Sequence, residues 1–128
     1  MRIRIVALAV MANLFIAAVP GFAHHSDVAY DQHAIELKGA TIVSFAWKNP
    51  HGIVVCDVKD ERGSVTRWTL ESGSPSAMLA SGWSKDALSP GDVVVIDVNP
   101  AKNGTKFGRL LRVTTAEGKA LNYREVVK

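Results

Sequence analysis

The stretch IELKGATIVSFAW, Ile35 to Trp47, decides how the rest of the chain is read. Ile35, Leu37, Val43, Phe45 and Trp47 fall on alternating positions with Glu36, Lys38 and Ser44 between them. That spacing predicts one long strand with a core face and a partly wet face. Gly39 interrupts the run where a residue without a side chain suits a bulge or a sharp bend. A long first strand bent at a glycine is one feature of a small Greek-key barrel.

Downstream of Trp47 the chain alternates short β patterns with turn chemistry. Asn49-Pro50-His51-Gly52 matches a type I turn, with Asn first, Pro second and Gly fourth. A second strand is expected from Ile53 to about Val58, and Asp60-Glu61-Arg62-Gly63 turns the chain into a third, Ser64 to Glu71, with Trp68 and Leu70 on one face. The three read as a β-meander. Ser74 as N-cap, Pro75 at the first helical position and Gly82 as the stop then delimit a short helix over Ala77 to Ala80. Met78, Leu79 and Trp83 are expected to plug one end of the core.

After the turn Ser89-Pro90-Gly91-Asp92, the β-branched run Val93 to Val98 is a further strand, and Asn99 to Gly108 reads as a polar loop. Leu110 to Thr115 is the next strand, and Asn122 to Val127 is a candidate for another beyond Glu117-Gly118. Three strands, a short helix and two more strands is the order of a five-stranded OB-like Greek-key barrel, all-β with one short helix. Periodicity alone also admits an SH3-like barrel or a small sandwich.

Upstream, residues 1–23 have the form of a secretory signal. Arg2 and Arg4 are its basic region, Ile5 to Val19 its apolar region, and Gly21-Phe22-Ala23 a small-x-small cleavage site. A membrane anchor would need about 20 apolar residues, whereas this run holds Asn13 and closes at Pro20-Gly21. Processing would leave an N-terminal arm over 24–34 and a single barrel domain over 35–128, in the periplasm or secreted, with no stable membrane anchor. Without Arg2 and Arg4, the 15 basic residues of the chain fall to 13 against 12 acidic ones, so the charge does not argue for nucleic acid. The single cysteine, Cys56, lies in the apolar run Ile53 to Cys56 and reads as a small core residue rather than a reactive thiol. With no partner for a disulfide, stability must come from packing.

The AHHS start, KGATIVSFAWKNPHG, RWTLESGSPSAMLASGW, LSPGDVVVIDVNPAKNG and the closing EGKAL together resemble a family of small exported bacterial proteins known only as a domain of unknown function. The most specific parts are the His-His start, Trp-x-Asn-Pro-His, and Trp-x-x-Glu followed by Ser-Pro and Gly-Trp. The resemblance runs from about His24 to Leu121. It implies a periplasmic or secreted single domain with an OB-like fold and no established reaction.

All four histidines, His24, His25, His33 and His51, lie in the expected arm or in the turn after the first strand. Imidazole is the commonest metal ligand at neutral pH. Cleavage before His24 would add its α-amino nitrogen, which can chelate one ion with the same residue's imidazole. A second imidazole from His25, His33 or His51 would complete a plane of three nitrogens. Such a plane suits Cu(II), which prefers tetragonal N and O donors and heads the divalent affinity order. No cofactor is fixed by these residues, and copper is the metal they favour. The plain alternative is a solvated terminus, with His51 filling a turn position that accepts many polar residues. A structural zinc site is weaker, since the fixed Cys and His spacing is missing.

Glu71, Trp47 and Asn49 are the other candidate binding residues. Glu71 closes the third strand, and a carboxylate there needs a partner, which Lys48 or Arg67 could supply. A structural ion pair is the commoner role for such a group. Trp47, Trp68 and Trp83 could offer a stacking surface for sugars or bases, although core packing suits at least two of them. Lys102, Lys106, Arg109 and Arg112 make the last loop locally basic, diluted by Asp92, Asp97 and Glu117. No nucleophile elbow, phosphate-binding glycine loop, His-Glu-x-x-His motif or Cys-His pair is present, so no enzyme class is indicated. The reading is a non-enzymatic binding module for a metal ion. Its alternative is a module for a periplasmic protein or an oligosaccharide, with the histidines incidental.

Overall fold

The computed structural model describes residues 29–128. Six strands and one helix follow in the order β1 (Ile35–Ala46), β2 (Ile53–Lys59), β3 (Val65–Glu71), α1 (Pro75–Ala80), β4 (Val93–Pro100), β5 (Phe107–Thr114) and β6 (Ala120–Asn122). The hydrogen-bonded order is β3-β2-β1-β4-β5-β6, and a further parallel pairing of β3 with β5 closes the first five strands into a barrel. This is the OB-like Greek-key barrel, with β6 added at one edge. Closure pairs the end of β3, Thr69 to Glu71, with Phe107 to Arg109 of β5 and so reduces the free edge open to edge-to-edge association.

β1 serves both halves of the barrel, pairing with β4 through its first half and β2 through its second. The change of partner falls at Thr41, which pairs with both; just before it stands Gly39, whose φ of 61° lies in the left-handed region that glycine adopts without a Cβ clash. The register slips there between Leu37 and Ala40, and again between Ile42 and Ser44. These slips correct the simple alternation expected from Ile35 to Trp47. Leu37, Ala40 and Ile42 are buried, while Val43 is only half-buried and Ile35 is 41% exposed. Each bulge shifts the phase by one residue, so a single period of two cannot run through the strand.

The interior is filled by Val54, Cys56, Trp68, Leu70, Ile96 and Val98, alternate residues of β2, β3 and β4, and by Leu110 and Val113 of β5, which stand three apart because the β4–β5 register slips between them. α1 lies between β3 and β4. Ser74 caps it by accepting the Ala77 N–H, and Pro75 opens it. Met78 is fully buried, and so is Trp83, whose Nε1 donates to the Asn122 carbonyl at 2.9 Å. Leu79 is 59% exposed and does not join them, because one turn of so short a helix presents only one residue in three or four to the core.

Three further expectations are revised. The Asn49–Pro50 peptide is cis, and Gly52 N–H donates to the Gly73 carbonyl at 2.9 Å, so the closing bond of a type I turn is not made. β4 continues through Pro100 and β5 begins at Phe107, which shortens the loop to 101–106. The last strand is Ala120–Asn122, and 123–128 crosses the outside of the barrel instead. There Ala34 N–H donates to the Val127 carbonyl, and Lys128 pairs with Glu36. Beneath this crossing lies Asp97, 1% exposed, held by Arg112 through Nε and Nη2 at 2.9 and 2.8 Å. Among the described residues no helix is long and apolar enough to cross a membrane.

Candidate functional site

Leu70 faces the barrel interior, so its neighbour Glu71 faces out, at the point where β3 meets β5 and the barrel closes. In the parallel register Glu71 stands beside Arg109. The segment between β1 and β2 is tied to the same place. Gly52 N–H donates to Gly73 O and Ser72 N–H donates back to Gly52 O, both at 2.9 Å. A Cβ on Gly52 would stand 2.5 Å from Ser72 Oγ, so this close crossing requires glycine. The crossing puts His51 over the end of β3. Its Nε2 lies 3.2 Å from Glu71 Oε1, and its Nδ1 lies 3.2 Å from the Ser72 carbonyl oxygen.

The other oxygen of Glu71 is also engaged. Tyr30 Oη donates to Glu71 Oε2 at 2.6 Å, a short bond of the kind made to an ionised acceptor. Tyr30 is 3% exposed although it precedes the first strand by several residues. Its backbone bridges to Ala101, Asp31 N–H donates to Pro100 O, and Lys102 N–H donates to Ala29 O. The Phe107 ring stacks near it at 6.2 Å, and the Arg109 guanidinium lies 4.4 Å from its ring centre. Burial pushes the phenol well above the usual tyrosine range, and the bond to Glu71 adds to this, while Arg109 opposes it. Tyr30 also lines a groove of 270 Å³ with Ala29, Ala101, Asn103, Thr105 and Phe107.

A carbonyl oxygen can only accept, so the bond to Ser72 O requires Nδ1 to carry a proton. In the neutral ring the lone pair then belongs to Nε2, the nitrogen that faces the Glu71 carboxylate. Two acceptors 3.2 Å apart attract only when a positive charge lies between or upon them. A proton on Nε2 meets that condition, and so does a metal ion. Orientation of a ligating imidazole by a carbonyl on its other nitrogen is the usual outer-shell arrangement of histidine metal sites.

The remaining sequence candidates fall into two groups. His24 and His25 lie outside the described residues. His33 is exposed, its backbone N–H donating to Asp31 Oδ1, and among the described residues no cluster of three or more His, Cys, Asp or Glu side chains is placed to hold a metal ion. Asn49 is exposed, and Trp47 is half-buried with its ring edge-on to Phe45 at 5.7 Å. Trp68 and Trp83 are core residues, so two tryptophans do not share an open face.

The partner expected for Glu71 is corrected. Arg67 is occupied by a two-point bond to Asp57 at 2.8 and 2.9 Å, since strand register sets those two opposite each other. His51 and Tyr30, from distant parts of the chain, take its place. Three of the four basic residues in and after the last loop are likewise committed, Arg112 to Asp97, Arg109 to Tyr30 and Lys106 to the Trp68 ring at 5.2 Å. Tyr30 was missed as a site residue. The available signal was a lone large aromatic in a run otherwise made of Asp, Gln, His and small residues, which needs somewhere to be buried.

The family of unknown function DUF6152 matches residues 11–110. The chain belongs to that family. The matched region of this DUF6152 protein includes Tyr30, His51, Glu71 and Arg109, together with β1 to β4 and the first residues of β5. No curated protein and no solved structure matches the chain.

Proposed function

We propose that this protein is an exported, non-enzymatic OB-type binding module that takes up a transition-metal ion, Cu(II), with His51 and the histidines of its processed N-terminus. Residues 1–23 act as the export signal, and cleavage before His24 frees the amine that completes the donor set. His24 supplies that amine and its imidazole, with His25 and His51 as further nitrogens. His33, exposed and with its backbone N–H bonded to Asp31 Oδ1, is an optional further nitrogen. The role of the module is sequestration, delivery or sensing of the metal in the periplasm.

The observation that carries this reading is the carboxylate shared by His51 and Tyr30. Tyr30 follows His24 by six residues, and a chain advances at most about 3.3–3.6 Å per residue, so His24 is tethered within about 20 Å of a group that touches His51. The tether turns capture of an ion by both ends into an intramolecular event at millimolar effective concentration or above. An amine and imidazole nitrogens around one centre suit Cu(II) over the other abundant divalent ions.

The test is expression with the native signal, mass determination of the processed form, and Cu(II) titration against a competing chelator. Wild type is compared with His51→Ala and with a form carrying one extra residue before His24. One-to-one, sub-nanomolar binding that each change weakens more than tenfold is the expected result. A processed form that does not begin at His24, or micromolar binding indifferent to His51, overturns the reading. Attention would then pass to the groove beside Tyr30 and a protein or glycan partner.

A further inference from the structure

We infer that Glu71 is the oxygen ligand of the metal site and that Tyr30 is the positioning residue that aims it, so that docking of the chain before β1 prepares the site. The inference rests on the metal reading above and adds to it a donor and a coupling that the histidines alone do not require.

The geometry comes from two fixed elements. His51 is held by the paired backbone bonds between Gly52 and 72–73, and Glu71 is the adjoining residue of β3. Neither side chain must travel far to share an ion. With metal bonds of about 2.1 Å to nitrogen and oxygen, two ligand atoms 3.2 Å apart subtend about 100° at the metal. That angle falls between the square and tetrahedral values, so the pair can bind in place. The ion would occupy the side of Nε2 that faces Oε1, while Nδ1 keeps its bond to Ser72 O.

The second oxygen decides the role of Tyr30. A carboxylate with one free oxygen can turn about its terminal bond, but Oε2 is bonded to Tyr30 Oη at 2.6 Å. Burial of the ring, the Phe107 stack and the backbone bonds from 29–31 to 100–102 hold that hydroxyl still. Oε1 is thereby directed at His51. Ligating carboxylates supported in this way are a common outer-shell feature, and loss of the support usually costs 10–100-fold in metal affinity. Arg109, beside Glu71 in the register and against the Tyr30 ring, adds positive charge next to the carboxylate without entering the ligand set. The same contacts anchor residues 29–31 against 100–102, so one carboxylate both ligates and is tied to the chain before β1.

The experiment uses the processed full-length protein, Cu(II) as the probe, and two readouts, competition affinity and the electron paramagnetic resonance spectrum of the bound ion. Glu71→Gln is expected to weaken binding at least tenfold and to move the spectrum from a mixed nitrogen and oxygen set toward a more nitrogen-rich one. Tyr30→Phe is expected to weaken binding about tenfold, the low end of the outer-shell range, with the spectrum unchanged, as befits a residue that acts through another. Glu71→Asp, which keeps the charge but shortens the reach, serves if Glu71→Gln does not fold, and is expected to lose affinity similarly. Affinity and spectrum unchanged in the Glu71 variants, with His51→Ala still impaired, would overturn this inference and leave the metal reading standing. Weakening without a spectral change in Glu71→Gln would also overturn it, since the carboxylate would then act only through the fold. Indifference to His51→Ala would end both.

Discussion

The bond from Tyr30 to Glu71 joins residues 41 apart in sequence, and its strength can be isolated by a double-mutant cycle of Tyr30→Phe and Glu71→Gln. Removing the hydroxyl keeps the ring, its burial and its stack on Phe107, so the change is confined to one bond. Hydrogen bonds to charged groups contribute about 1.5–3 kcal/mol. The Glu71 side chain is 26% exposed and keeps His51 as a second partner, so the lower half of that range applies. Tyr30→Phe should therefore cost about 1.5 kcal/mol, which for a domain of this size lowers Tm by about 6–12 °C. Glu71→Gln should cost a similar amount, and the double mutant should lose less than the sum by about 1 kcal/mol.

The assay is urea unfolding of the metal-free protein followed by tryptophan fluorescence, with two-state fits and unchanged m-values as the condition for comparison. Trp68 and Trp83 are core residues, so the signal reports global unfolding. A coupling below about 0.3 kcal/mol would refute the reasoning, because sites without interaction add to within that margin. The bond would then be a surface contact, and the anchoring of the chain before β1 would rest on ring burial and backbone bonds alone.

Three other expectations follow from single residues. Gly52→Ala places a methyl 2.5 Å from Ser72 Oγ and 3.1 Å from the Ala46 carbonyl, which should cost about 1–3 kcal/mol. Adding Ser72→Ala should restore part of that in a thermal melt, and no recovery would place the clash on the backbone. Asp97→Ala leaves the Arg112 guanidinium without its carboxylate under the C-terminal crossing, at an expected cost of about 2–4 kcal/mol by urea unfolding, reduced below the usual range for a buried pair because Arg112 is part-exposed. Burial pushes the Cys56 thiol up to about 11, so it should resist Ellman's reagent at pH 8 in the native protein and react at once on unfolding. An unfolded thiol titrates near about 8.5. The contribution of Cys56 to stability is therefore intact below that pH and is lost as pH rises through about 11, a slope that Cys56→Val should remove.

The fold was legible because its signals are local. The β-branched run Val93 to Val98, the Ser74-Pro75 helix start and the turn at Asp60 to Gly63 each act within a few residues, and their order matches a barrel topology that few other arrangements share. Asp60 shows how local the instruction is, its carboxylate accepting the N–H groups of both Arg62 and Ser64. Failures came where long-range pairing resets a local phase. The two slips in β1 exist because that strand must serve β2 and β4 at once, and nothing within Ile35 to Ala46 except Gly39 records it. The site was half legible for the same reason. His51 and Glu71 were visible as chemistry, but the contact between them depends on barrel closure through β3 and β5 and on the crossing at Gly52.

Placement of the site at that closure has a physical consequence. The β3–β5 pairing spans only Thr69 to Glu71 against Phe107 to Arg109, the shortest seam among the five barrel strands. Few backbone bonds hold it, and side chains at its end therefore contribute a larger share of its stability than they would along β1 and β2. Glu71 and Arg109 sit at the last register position of that seam, and Tyr30 lies across them from outside. An ion held by His51 and Glu71 would add a bond between the segment 47–52 and β3 at the point where the barrel is least tied. Binding energy realised there adds to folding energy, so the metal-loaded protein should be stabilised most where the empty one opens most easily.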